Sequence, residues 1–196
     1  YEIELPMEND GEQILRTVME DGLSNLLVKE NGQCWVRASN YRPRVALLAS
    51  KASHCLVDVL QRWRTNELPC EIVCVIANHP QMAEYAGWFK VPFHHVDFSS
   101  EDKRGAFTAV DDLLTQHQVD LTVLARFMQV FPDDIVARRE GAMINIHHSF
   151  LPSFMGARPY EQAHARGVKL VGATCHYVTA ALDQGPIIDQ EVTRIS

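Results

Sequence analysis

The feature that most constrains this chain is a series of short apolar runs, each bounded by polar or turn-forming residues. Residues 45–49, 71–77, 121–125 and 143–147 are the clearest of them. An apolar run of that length is what a strand covered on both faces requires, since neither face meets water. Between the runs lie segments with helical spacing. Leu56, Val59, Leu60 and Trp63 form one such set, and Phe107, Val110 and Leu114 form another. Residues 82–89 read as a helix stopped before Pro92, and 93–96 as a short strand. Residues 169–177 and 187–192 read as two more strands with a loop between them. Strands alternating with helices in this way imply an α/β, Rossmann-like architecture: a mostly parallel sheet with helices on both faces.

The first 40 residues do not follow this pattern. They are acidic and irregular, with a strand expected at 1–5, a helix at 11–20, a second strand at 26–29 and a turn at Asn31-Gly32. Forty residues are marginal for an independent domain. Arg42-Pro43-Arg44 reads as a linker, so the chain divides into a partial α+β segment, 1–40, and a main domain, 41–196. The chain opens on Tyr1 rather than Met and stops at Ser196, just after a strand where this fold class usually adds a covering helix. The expectation is a piece of a longer protein, truncated at its C-terminus.

Charge and cysteine content narrow the classes. A net charge of -7 argues against a nucleic-acid or anionic-membrane binder. No apolar run is long enough to span a bilayer, and the acidic start Tyr1-Glu2-Ile3-Glu4 is no signal peptide. The five cysteines are odd in number and form no CxxC pair, which fits free, mostly buried thiols in a reducing cytoplasm. The sharper alternative is a catalytic thiol. Its candidate is Cys175, beside His176, although apolar neighbours favour packing. His, Cys, Asp and Glu show no convincing metal-ligand spacing, so no metal is expected.

Open parallel sheets bind ligands at the carboxyl ends of their strands. The run 143–147 delivers Asn145, His147, His148 and Ser149 to that edge, and period-two alternation puts Asn145 and His147 on one face. An amide and an imidazole side by side can handle a carbonyl: the amide donates to a developing oxyanion, and the imidazole moves protons or donates as well. The bland alternative is a polar strand end that caps a helix or loop. The segment from Phe150 to Tyr160 holds two prolines and one glycine yet is greasy for a solvated loop. It either lines a pocket or packs on its own domain. Asp183, in Leu182-Asp183-Gln184-Gly185-Pro186, is first of all a turn former, and its interest depends on whether the turn reaches His147.

The string Asn145-Ile146-His147-His148-Ser149-Phe150-Leu151-Pro152, followed by Leu182-Asp183-x-Gly185-Pro186-Ile187-Ile188, resembles the formyltransferase superfamily that handles 10-formyltetrahydrofolate. The resemblance covers residues 44–196. It implies that Asn145 holds the formyl oxygen as charge builds, that His147 is the imidazole beside it, and that Asp183 orients His147 or holds the reacting water. A carboxylate beside an imidazole favours the charged, donating form of the ring. A formamide is a poor electrophile, so oxyanion stabilisation should matter most. The resemblance further implies that folate lies against Phe127, Met128, Gln129, Val130 and Phe131, and against the later loop through Val178, Thr179 and Leu182. Backbone groups would recognise the pterin, with apolar side chains around the ring. Folate is then substrate, and no cofactor is implied.

Two features favour water over an amine as formyl acceptor. Members of the superfamily that act on glycinamide ribonucleotide carry a Gly-rich phosphate loop after the first strand, whereas here Ser50-Lys51-Ala52-Ser53-His54-Cys55 has no glycine. Lys51 and a helix N-terminus there remain able to attract an anion. In that transferase a proline also follows the catalytic histidine, whereas His147-His148-Ser149-Phe150 resembles the hydrolytic branch. So do Phe154-Met155-Gly156-Ala157-Arg158-Pro159-Tyr160 and Gly172-Ala173-Thr174-Cys175-His176-Tyr177, with Cys175 departing from an expected small residue. The implied reaction is hydrolysis of 10-formyltetrahydrofolate to formate and tetrahydrofolate, within one-carbon metabolism and purine biosynthesis. Formyl transfer to an amine, and folate binding without turnover, are the alternatives. His148, His54 and Gly156 are supporting candidates, with a helix-start role equally open for His54. His79, His94 and His95 read as solvated or edge residues, and His176 as packing near the strand. Hydrolytic members carry an N-terminal ACT domain, so residues 1–40 would be its last portion, and homo-oligomerisation through it is expected.

Overall fold

The strand runs assemble as one sheet. The structure, a computed structural model, describes residues 41–99, 101–154, 156 and 158–195. The strands expected at 1–5 and 26–29, the helix at 11–20, the ACT-like assignment and Cys34 lie outside the described residues. The chain divides between Arg42 and Pro43, and the sheet belongs wholly to the second unit.

In chain order the elements are β1 (Arg44–Ala49), α1 (His54–Arg64), β2 (Glu71–Ala77), α2 (Met82–Trp88), β3 (Phe93–His95) and α3 (Lys103–Gln116). Then come β4 (Leu121–Ala125), α4 (Asp133–Arg138), β5 (Met143–His147), α5 (Pro159–Ala165), β6 (Leu170–Tyr177) and β7 (Ile187–Arg194). The sheet order is β3-β2-β1-β4-β5-β6-β7. Neighbours from β3 to β5 are parallel, and β6 and β7 return antiparallel. The order reverses between β1 and β4, and the crevice above that point is where such sheets take ligands.

Two cores follow from strand alternation. Leu47, Ala49, Val75 and Ala77 point to one face, where Leu56 and Leu60 of α1 and Met82 and Ala86 of α2 cover them. Ala46, Leu48, Ile76 and Leu124 point to the other, under Phe107, Val110 and Leu114 of α3 and Ile135 and Val136 of α4. Burying a Leu or Phe contributes about 1.5–3 kcal/mol relative to exposure, so these two layers are the main stabilising term. The short helices α4 and α5 are not marked by the apolar pattern of the sequence. The segment 150–160, which reads as a loop in the sequence, ends as the start of α5, with Pro159 in its first turn. No helix among the described residues is long and apolar enough to cross a membrane.

Candidate functional site

The site is built on β5 and the two segments that come back to it. Parallel pairing matches Leu124 of β4 with Asn145, and antiparallel pairing matches Asn145 with His176 and His147 with Thr174 of β6. Asn145 therefore sits between two strands with its amide facing a histidine. Its Nδ2 is 3.2 Å from His176 Nε2. His176 Nδ1–H donates to the Tyr177 carbonyl at 2.8 Å, since a carbonyl can only accept. Nε2 is then the acceptor for one Asn145 N–H, and the second N–H of that amide remains to donate elsewhere.

Asp183 reaches the same spot. Its Oδ1 lies 3.4 Å from His147 Nδ1 and 3.9 Å from His176 Nε2. Its Oδ2 accepts the Gly156 backbone N–H at 3.1 Å. The 3.4 Å separation is an ion-pair distance, longer than the 2.7–3.2 Å of an ordinary N–H···O bond. His147 and Asp183 side chains are only 6% and 7% exposed, so what passes between them is weakly screened. The other nitrogen of His147 faces the Phe154 carbonyl at 3.4 Å.

Local chemistry explains why the chain bends here. Asp183 has φ +55 and Gly156 φ +77, both in the left-handed region. Gly185 is obligatory for a different reason: a Cβ there would lie 1.8 Å from the Tyr177 carbonyl oxygen. The loop after β5 is held by Thr174, whose hydroxyl donates to the Ser149 carbonyl at 2.8 Å and accepts the Leu151 N–H at 3.0 Å. Gln190 Nε2 donates to the Leu151 carbonyl at 2.8 Å, and Ser149 Oγ donates to the Phe154 carbonyl at 3.0 Å. Leu151 is buried against its own domain, and Phe150, Phe154, Pro159 and Tyr160 line a small pocket beside His148.

The structure thus brings Asn145, His147, Asp183 and Gly156 together and adds His176, which sequence reasoning takes for a packing residue. The available signal was its place two residues from Thr174 on a strand next to β5. His148 packs its ring against those of His147 and Tyr160, with centroids 5.5 and 5.3 Å away. Burial first, then the nearby Arg126 charge and His147, push the His148 ring below the usual histidine value. His54 is the exposed first residue of α1. Cys175 stays a thiol, because burial first and then Asp189 push it up. His94 lies on the edge strand β3, as an edge residue should, and its Nε2 meets His117 Nε2 at 2.8 Å.

The apolar contacts expected for a ligand need a correction. The Phe127 and Phe131 rings belong to the core, Phe127 being 1% exposed and packed against Phe98 and Phe131. They bury because that segment turns these two rings inward, so only the backbone of these residues is left to a ligand. The Phe127 carbonyl already accepts the Ser50 hydroxyl. Met128, Val130 and Leu182 are exposed, and Gln129 borders an open pocket of ≈ 350 Å³ with Asn78, His95 and Asp97. Val178 packs against the core and donates its N–H to the Met143 carbonyl at 2.9 Å, while Thr179 Oγ1 donates to the Ala181 carbonyl at 3.0 Å. Among the described residues no group of His, Cys, Asp and Glu is arranged to hold a metal ion.

Comparison with known proteins places this geometry. The family model described as Formyl transferase matches residues 43–196. A formyltetrahydrofolate deformylase from Synechocystis is 50% identical over 161 residues, which is 82% of this chain and 56% of that protein. The crystal structure of a formyltetrahydrofolate deformylase from Pseudomonas syringae matches with a TM-score of 0.88 at 45% identity, covering 98% of this chain and 62% of that one. A glycinamide ribonucleotide transformylase from Symbiobacterium toebii matches with a TM-score of 0.76 at 28% identity, covering 84% and 79%. The chain spans less than two thirds of the length of either deformylase.

Proposed function

The chain belongs to the formyl transferase family, and from that membership we propose that it serves the hydrolysis of 10-formyltetrahydrofolate to formate and tetrahydrofolate. The observation that carries this reading is the buried set in which Asp183 faces His147 while His176 holds the Asn145 amide. The deformylase relatives, at 45% and 50% identity against 28% for the transformylase, support water as the acceptor.

The chemistry follows from the placement. Water adds to the formyl carbon and the carbonyl π electrons move to oxygen. The free N–H of Asn145 and the His147 Nε2–H, held only loosely at 3.4 Å by the Phe154 carbonyl, donate to that oxyanion, and Asp183 at Nδ1 stabilises any charge that develops on the ring. Collapse breaks the C–N10 bond. His147 gives N10 its proton, one proton of the attacking water replaces it, the other passes to solvent, and formate departs. In this reading folate lies along Met128, Gln129, Val130 and Leu182 and the backbones of Phe127 and Phe131, with Val178 and Thr179 shaping the second wall. No metal or organic cofactor takes part, residues 1–40 belong to a regulatory ACT-like unit through which copies associate, and the protein works in the cytoplasm.

The test is incubation with 10-formyltetrahydrofolate and no amine. Formate and tetrahydrofolate should appear in equal amounts. Formate-free tetrahydrofolate, formed only when an amine is added, would replace this reading with transfer. Folate binding with no product under either condition would leave a binding module.

A further inference from the structure

One cation at this sheet edge is incompletely satisfied. Arg126 follows β4, and its Nε is buried with no hydrogen-bond acceptor among the described residues. Other arginines among the described residues are paired: Arg104 and Arg138 with Asp134, and Arg138 and Arg139 with Asp111. Desolvating a guanidinium N–H without an acceptor is costly, so such a group marks a place where an anion belongs.

Its position is fixed by register. Leu124 pairs with Asn145, and Ala125 pairs with Ala49. Continuing both parallel ladders sets Arg126 level with His147 on one side and Ser50 on the other. The backbone of Arg126 is left-handed, φ +64, as the chain leaves the strand. Its charge is felt at two places, the Cys55 thiol on α1 and the His148 ring. Neither of these is a carboxylate. The Arg126 backbone thus stands at the switch point of the sheet, level with the strand end that carries His147, and its charge reaches the adjoining His148 ring.

We propose that Arg126 is the carboxylate-binding residue of this site and receives formate as it leaves the formyl position. The proposal rests on the deformylase reading for the origin of its ligand but not for its binding chemistry. A carboxylate offers two oxygens to the fork of a guanidinium, and the pair forms two parallel charge-assisted hydrogen bonds. Formyl oxygen before hydrolysis is neutral and makes no such demand. The planar carboxylate that matches the guanidinium fork forms only when the C–N bond breaks, so Arg126 gains its bidentate partner at that step. Folate also carries carboxylates, on its glutamate tail, and the experiment separates the two sources.

The measurement is titration of the protein with [13C]formate alone, followed by NMR, for the wild type, Arg126→Gln, Arg126→Lys and the exposed helix-end variant Arg64→Gln. Binding should weaken at least about ten-fold in Arg126→Gln, the order expected for losing hydrogen bonds to a charged group. Arg126→Lys should retain part of it, and Arg64→Gln all of it. Circular dichroism checks that each variant is folded. In turnover, Arg126→Gln should resist inhibition by added formate by the same factor. Formate binding that is equal in wild type and Arg126→Gln, or absent from the wild type, overturns the proposal. So does an Arg126→Gln variant that loses affinity only for folates bearing glutamate and not for pteroates lacking it. Release of no formate from formylfolate, with Arg126-dependent formate binding intact, would overturn the hydrolytic reading and leave the carboxylate site standing.

Discussion

Replacing Asp183 by Asn separates the charge of this residue from its shape. Asn keeps an oxygen to accept the Gly156 N–H, now 3.1 Å from Oδ2, so the loop should keep its course. What disappears is a carboxylate 3.4 Å from His147 Nδ1. Two unit charges at that distance and an effective dielectric of about 20 interact by about 5 kcal/mol. The full value applies only to a ring carrying a whole charge. Half of it, for partial charge development, is about 2.5 kcal/mol, and each step of about 1.4 kcal/mol is a factor of ten in rate. The expected loss is therefore roughly 10²-fold in kcat for formate release. Folate affinity should stay within a few-fold, because the partners Asp183 shows are protein groups. Coupled detection of formate gives kcat, quenching of protein fluorescence by folate gives affinity, and thermal unfolding guards against a misfolded variant. A folded D183N protein with kcat within a few-fold of wild type would refute the argument that the carboxylate acts through His147.

Three further outcomes are expected. Gly185→Ala drives a methyl group to 1.8 Å from the Tyr177 carbonyl oxygen, so it should destabilise by roughly 1–3 kcal/mol and cost activity through the neighbouring Asp183; an unchanged melting temperature would contradict the contact. Phe127→Ala should cost about 3–5 kcal/mol in urea unfolding while leaving the folate KM of the folded protein nearly unchanged, and a change in KM alone would return the Phe127 ring to the ligand. Burial pushes the Cys74 thiol up to about 11 in the folded chain, above the 9.0 of a free thiol. Its stabilising contribution is then present below pH 9 and lost as pH rises through 11, so Cys74→Ala should flatten unfolding free energy across that window by about 2–3 kcal/mol relative to wild type.

The sheet is legible because burial on both faces writes itself as an uninterrupted apolar run. β2, β4 and β5 have the limits their runs imply, Glu71–Ala77, Leu121–Ala125 and Met143–His147. Helices α4 and α5 are not legible: α4 has only six residues, and α5 begins inside the segment whose two prolines and glycine read as a loop. Pro159 marks the start of α5, and Pro132 with Asp133 and Asp134 marks that of α4. The aromatic segment after β4 misleads for a related reason. Phe127 and Phe131 look like pocket lining in a sequence read as a loop, and the distant Phe98 and Phe107 rings that claim them cannot be seen there.

The site itself shows a sharper division. Asn145 and His147 share a strand, so alternation alone sets them side by side. Their partners come from an element that runs the opposite way. Because β6 is antiparallel to β5, His176 passes beside Asn145 before the chain turns back, and the same return carries Asp183 to His147. A parallel neighbour would end at the sheet edge and leave the inner flank of Asn145 to a core residue. The antiparallel pairing instead lets His176 use one N–H of the amide from behind, with Tyr177 fixing which nitrogen accepts. The second N–H is thereby aimed before any substrate arrives. A donor that needs no reorientation costs nothing at the moment charge develops, which is the property an oxyanion site requires. Sequence order hides this because a histidine on a strand looks like packing until the direction of the strand is known.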